Sequence, residues 1–205
     1  MKTLQPLFDN NRAWAAAETE KDADFFNRLA DQQAPQYLWI GCADSRVPVN
    51  QIVDLPAGEI FVHRNVANVV AADDDNCLSV IHYAVEALQV PHIVVCGHYG
   101  CGGVKAALSE QSHGFIDCWV KHIKSVREAE DSRLQAVEEA QQWDALCELN
   151  VFAQVENVCR TAAVQSAWEG GQPLAVHGLI YDIKDGQLKD LDIHVESMEQ
   201  LAALR

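Results

Sequence analysis

The chain has 205 residues, 49% of them hydrophobic, and 30 acidic against 15 basic side chains give a formal net charge of −15. That length is expected to close one domain, residues 1–205, around a single core. The charge argues against nucleic acid or an anionic membrane surface as partner, and no apolar run reaches the roughly 18 residues of a membrane-spanning helix. The seven cysteines are odd in number and widely spaced, and the first ten residues lack the apolar stretch of a secretory signal. Metal binding or burial explains them better than disulfides, and the expected address is cytoplasmic.

Phe8, Trp14, Phe25, Phe26 and Leu29 predict one or two amphipathic helices over residues 8–31. Residues 1–35 thus read as a helical arm, placed to pack on a partner subunit. Tyr37–Gly41 is the first predicted strand, Pro48 opens a short helix to Asp54, and Glu59–Arg64 is the second strand. A helix capped by Asp75 or Asn76 runs to about Gln89, with Leu78, Ile81, Val85 and Leu88 at helical spacing, and Pro91 ends it. His92–Gly97 is the third strand, and Gly102 opens the next helix. Helices dominate from Phe115 to Trp168, one of them with Val151, Val155, Val158 and Ala162 on a single face. After the Gly170-Gly-Gln-Pro173 break, Leu174–Ile183 is a fourth strand, and Asp185-Gly186 turns it into an antiparallel fifth, Gln187–His194. The alternation predicts an α/β fold: a mainly parallel sheet of about four strands plus an antiparallel edge strand, flanked by helices.

Ligands bind such sheets beyond the carboxyl ends of the strands. Two clusters fall there: Cys42-Ala-Asp44-Ser-Arg46 after the first strand and His98-Tyr-Gly-Cys101 after the third. Two thiolates, one imidazole and one carboxylate are all zinc ligands. Gly97, Gly100, Gly102 and Gly103 give the second cluster a backbone able to turn tightly. Two readings stand at this level. Cys42, Asp44, His98 and Cys101 close a four-ligand structural site, or Arg46 takes Asp44 as a bidentate partner and leaves a fourth position for water. A nucleotide loop fails, since Lys105 stands where a third glycine is needed and no Gly-Lys-Ser/Thr occurs; no Gly-x-Ser-x-Gly elbow occurs either. Cys77, Cys96, Cys118, Cys147 and Cys159 lie in apolar patterns and read as buried small hydrophobes. The remaining histidines read as surface or core residues rather than ligands.

Cys42-Ala-Asp44-Ser-Arg46 with His98-x-x-Cys101-Gly-Gly, together with His63-Arg-Asn-Val-Ala-Asn68, resembles the β-class carbonic anhydrases, and the likeness runs through nearly the whole chain. The resemblance implies an α/β subunit that forms homodimers or homotetramers. It implies one Zn2+ per subunit and reversible hydration of carbon dioxide to bicarbonate and a proton, by attack of zinc-bound hydroxide. Cys42, His98 and Cys101 would hold the metal, with Asp44 and Arg46 as the catalytic dyad. Gln33, Phe61, Val66 and Tyr83 match substrate-pocket positions, and the Gly102 N–H is placed to donate to a substrate oxygen. A pH- and bicarbonate-regulated, type II-like subgroup closes its site by Asp44-type ligation of zinc and binds bicarbonate on a Trp, an Arg and a Tyr; Trp39, Arg64 and Tyr181 match them. Two other readings remain: a zinc hydrolase of carbon disulfide or carbonyl sulfide, and a non-enzymatic zinc- or bicarbonate-sensing protein.

Overall fold

The computed structural model describes residues 3–31 and 33–204, which fall into two units, Met1–Ala34 and Pro35–Arg205. In the first, α1 (Gln5–Lys21) starts with a proline in its first turn and α2 (Phe25–Asp31) follows a short break. Asp22 makes that break, accepting from the Asp24 N–H at 3.1 Å and pairing with Arg28. Trp14, Phe25 and Phe26 meet edge to face, with ring centroids 5.0–6.4 Å apart. No described residue of either helix is buried.

The second unit is built on a five-stranded sheet in the order β2-β1-β3-β4-β5. Its strands are β1 (Tyr37–Cys42), β2 (Ile60–Asn65), β3 (His92–His98), β4 (Ala175–Asp182) and β5 (Gln187–Val195), with only β5 antiparallel. The helices between them are α3 (Val49–Ile52), α4 (Asp75–His82), α5 (Gly102–Leu108), α6 (Asp117–Ala129), α7 (Asp131–Gln135), α8 (Gln142–Cys159) and α9 (Ala162–Glu169), with α10 (Met198–Ala203) after the sheet. Alternation along β1 and β3 sends Leu38, Ile40, Ile93 and Val95 to one face. There they pack with Ile81 of α4, Val151, Val155 and Val158 of α8 and Val164 of α9. Truncating such a fully buried isoleucine to alanine costs about 2–5 kcal/mol. Trp39, Val94 and Cys96 take the other face, with Val49 of α3.

Strand ends agree with the sequence reading within about a residue or two, the uncertainty of any boundary. Three details differ from it. Ala162 does not share the stripe of Val151, Val155 and Val158, because α8 ends at Cys159 and Ala162 is an exposed residue opening α9. The cap of α4 is Asp74, whose side chain accepts from the Asn76 N–H at 3.1 Å, rather than Asp75 or Asn76. Cys118 is exposed, because α6 buries Val120 and Ile123 and places residue 118 on a different face.

The strand order decides where a ligand can sit. The chain leaves β1 for β2 on one side and returns to β3 on the other. The β1/β3 carboxyl ends therefore open a crevice at the point where the connections diverge. Cys42 ends β1 and His98 ends β3.

Candidate metal centre

Three segments meet at this crevice. Cys42 arrives on β1. His98 ends β3, and a turn through Gly100, whose φ of 71° suits glycine, brings Cys101 to the start of α5. All three ligand residues are buried, and a thiol sulfur from each cysteine and a ring nitrogen lie within 4.8 Å of one another. The Cys42 and Cys101 sulfurs are 3.9 Å apart. That is far from a disulfide and close to the roughly 3.8 Å between two sulfurs on a tetrahedral zinc with bonds of about 2.3 Å.

The third donor is aimed by its other nitrogen. His98 Nδ1 lies 3.0 Å from the Tyr99 carbonyl, which can only accept, so the ring proton belongs there. His98 Nε2 is buried with no hydrogen-bond partner. A bare buried lone pair beside two thiols is unfavourable without a ligand and suits a cation. The thiols also share charge: the Cys101 S–H favours a Cys42 thiolate, and that thiolate, with burial, holds the Cys101 proton on. Burial opposes an imidazolium at His98, but the Cys42 thiolate outweighs it and shifts His98 upward. Zinc would replace these protons, so the donor set fits the metal.

Asp44 and Arg46 form a chelated pair at the rim. Asp44 Oδ1 accepts from the Arg46 N–H and from Nε, both at 2.9 Å, and Oδ2 accepts from Nη2 at 2.7 Å. The Arg46 side chain holds the carboxyl well below the usual carboxylate range. Asp44 Oδ2 is also 3.7 Å from His98 Nε2. Arg64 reinforces the same turn, donating from Nε to the Cys42 carbonyl at 2.9 Å and from Nη2 to the Asp44 carbonyl at 2.6 Å.

Of the other candidate residues, Trp39 is buried with its Nε1 unpartnered, and Tyr181 packs in the same cluster. Phe61 and Tyr83 face each other at 5.8 Å. Val66 is packed tightly against Gly103, where an added Cβ would come within 2.8 Å of it, whereas a Cβ on Gly102 would meet open space. Gln33 belongs to the N-terminal unit and is exposed there. The cavities of 890 and 410 Å³ that flank Val70, Ala71 and Ala72 take in none of Cys42, Asp44, His98 or Cys101. The cluster of donor atoms is at the strand ends, apart from both cavities.

Several supporting contacts escaped the sequence reading. The Ala67 N–H donates to Cys42 Sγ at 3.3 Å. Ala67 and Asn68 both adopt left-handed conformations, with φ of 64° and 48°, at about 1–2 kcal/mol each. Tyr99 hydrogen-bonds through its hydroxyl to Glu148, and Trp143 Nε1 donates to the Cys101 carbonyl at 3.0 Å. A sequence signal existed for one group: Asn150, Gln154 and Asn157 recur at helical spacing beside the apolar stripe of α8.

Fold and site define an α/β protein with a buried centre of two thiols and one imidazole at the switch point of its sheet. The family model described as carbonic anhydrase matches residues 37–188. A carbonic anhydrase of Emericella nidulans is 49% identical over 194 residues, covering 94% of this chain and 85% of that protein. The structure of a Coccomyxa β-carbonic anhydrase in complex with acetazolamide has a TM-score of 0.94 at 43% identity, over 99% of this chain and 92% of that one. A β-carbonic anhydrase of Sordaria macrospora, from a study of two tetrameric enzymes, has a TM-score of 0.89 at 38% identity, over 95% and 100% of the two chains. This chain belongs to the β-carbonic anhydrases, an enzyme family.

Proposed function

We propose that the protein hydrates carbon dioxide reversibly to bicarbonate and a proton with Zn2+ on Cys42, His98 and Cys101. The observation that carries this reading is the Asp44 carboxylate, fixed by Arg46 with one oxygen 3.7 Å from the bare His98 Nε2. When bound, the metal makes water nucleophilic near neutral pH, less strongly on two thiolates than on three imidazoles, where the pKa falls to about 7. Arg46 keeps Asp44 ionised and fixed in orientation. Asp44 then accepts a hydrogen bond from the attacking water and turns its lone pair toward the substrate carbon. Phe61, Val66 and Tyr83 offer apolar walls to an uncharged substrate, and the Gly102 N–H a donor for the growing negative charge. Stopped-flow hydration, with zinc measured on the same sample, tests the reading; zinc-loaded protein without turnover would overturn it. Parallel assays on carbonyl sulfide and carbon disulfide establish the substrate.

The same geometry supports regulation of the type II-like kind. Asp44 stands between Arg46 and the metal ligands, so it can leave the arginine and ligate zinc in a closed state. Arg64 braces the Asp44 turn through two carbonyls, and an anion that drew its guanidinium away would release that turn. Bicarbonate held by Arg64, Tyr181 and the unpartnered Trp39 Nε1 is that anion in our reading. The rate is expected to rise on the alkaline side and fall near neutrality; a flat profile between about pH 6.5 and about pH 9 would sink the gating. Trp39→Phe should relieve bicarbonate inhibition with little change in the uninhibited rate.

We further propose a cytosolic homodimer or homotetramer in which residues 1–35 pack on a partner subunit. Leu7, Phe8 and Trp14 are open to solvent, and all seven cysteines are unpaired, as suits a reducing compartment. Sedimentation of a Phe8→Glu variant tests the packing; an unchanged assembly would argue against it.

A further inference from the structure

The Ala67 turn is held from four sides by side chains that touch no ligand atom. Trp119 Nε1 on α6 donates to the Val66 carbonyl at 2.8 Å. That carbonyl belongs to the same peptide group as the Ala67 N–H, which donates to Cys42 Sγ at 3.3 Å. The next carbonyl, Ala67 O, accepts from Asn150 Nδ2 on α8 at 3.0 Å. Asn150 is itself oriented, since its Oδ1 accepts from Gln154 Nε2 at 3.0 Å. Gln154 Oε1 accepts from the Val70 N–H at 2.8 Å, and Asn157 Nδ2 donates to both Gln154 Oε1 and the Val70 carbonyl. Asn65 closes the remaining side through Val69, accepting its N–H at 2.8 Å and donating to its carbonyl at 2.7 Å.

These bonds fix both peptide groups of Ala67, a non-glycine residue in a conformation it disfavours on its own. The product of that constraint is one N–H aimed at a ligand sulfur. Asn150 and Gln154 are both buried, and their side-chain hydrogen bonds lead to each other, to Asn157 or to this loop. On the other side, a Cβ at Gly103 would come within 2.8 Å of Val66 and 3.1 Å of the Ala67 Cβ, so α5 packs directly on the turn.

We propose that Asn150 and Trp119 are positioning residues of the metal centre: by gripping the two carbonyls around Ala67, they aim its N–H at Cys42 Sγ and tune that sulfur as a ligand. The inference rests on the reading that Cys42, His98 and Cys101 hold the metal. An N–H···S bond withdraws charge from a thiolate and fixes its direction, and partners of this kind typically change metal affinity by about 10–100-fold.

The test uses the full-length protein loaded with Co2+ or Zn2+ as Asn150→Leu, Trp119→Phe and Val158→Ala variants. Val158 is a buried core residue of α8, so its truncation reports general destabilisation. The thiolate-to-cobalt band should move to longer wavelength in Asn150→Leu and Trp119→Phe, and zinc should pass to a competing chelator about tenfold faster or more. Val158→Ala should lower the unfolding midpoint and leave band and release rate in place. If Asn150→Leu and Trp119→Phe keep both at the unmodified values, or move them only as Val158→Ala does, the proposal is wrong. Should Asn150→Leu not fold, Trp119→Phe decides alone. A Cys42→Ser variant with an unmodified cobalt spectrum would instead refute the metal reading itself.

Discussion

Among the described residues, two groups bring three metal-type donors together, and only one of them holds a buried ring nitrogen without a hydrogen bond. Cys42, His98 and Cys101 bring three donor atoms within 4.8 Å, and so do His63, Asp74 and Cys77. At the first, His98 Nε2 has no hydrogen-bond partner and two thiols share charge. At the second, the ring nitrogen and a carboxylate oxygen accept hydrogen bonds and the thiol keeps its proton. Asn65 is locked to Val69 so that its Nδ2 faces His63 Nε2 at 3.2 Å, which makes that nitrogen an acceptor. Asp74 caps α4, and burial pushes the Cys77 thiol up to about 12. Burial likewise lowers His63. Proximity is common to both groups; the unpartnered ring nitrogen sets the first apart as the candidate metal centre.

The sharpest way to break the comparison is to remove one sulfur from each group. Cys42→Ser is expected to lose the metal and bring hydration to the uncatalysed background, while Cys77→Ala keeps metal content unchanged and loses about 1 kcal/mol of stability. Elemental analysis with stopped-flow rates checks both; metal lost from Cys77→Ala would erase the distinction. Asp44→Asn should retain zinc and slow hydration by about 10²–10⁴-fold, read from the maximal rate. Asp74→Ala should cost about 1 kcal/mol in denaturant unfolding through the lost cap, with the metal untouched.

The smallest effect concerns pH. Asp44 has a folded pKa below its unfolded value, so the Arg46 pair contributes stability above the ordinary carboxylate range and loses it only as pH falls through the lowered value. The difference in unfolding midpoint between metal-free protein and its Asp44→Asn variant should thus be constant from about pH 5 to about pH 8 and shrink only in stronger acid. A difference that vanished near neutrality would show that the pair is not formed.

Much of this was legible in the sequence where the signal is local. Cys42-x-Asp44-x-Arg46 and His98-x-x-Cys101 are short spacings beside glycines, and the strands announce themselves by apolar runs between turn residues. Most supports were not legible, because their spacing in the chain is long and their residue types are ordinary, and the one periodic trace does not say what it serves. Asn150, Gln154 and Asn157 resemble a solvated helix face until the loop they grip is in view. Ala67 gives no glycine to mark its left-handed turn. Three consecutive aspartates at 73–75 hide which one caps α4. Arg64 is matched by resemblance to an anion-binding position, and nothing in the sequence marks that in the fold it ties down two carbonyls of the Asp44 turn.

The reliance of the Ala67 turn on α8 also has a consequence for biosynthesis. Asn150 is translated 49 residues after Cys101, the last of the three ligands (150 − 101). At about 5–20 residues per second, the thiols and the imidazole leave the ribosome roughly 2–10 seconds before the helix that orders their surroundings. On the proposal above, maturation of the centre is a late event, since a nascent chain stalled before α8 presents the two thiols and the imidazole without the helix that holds the Ala67 turn.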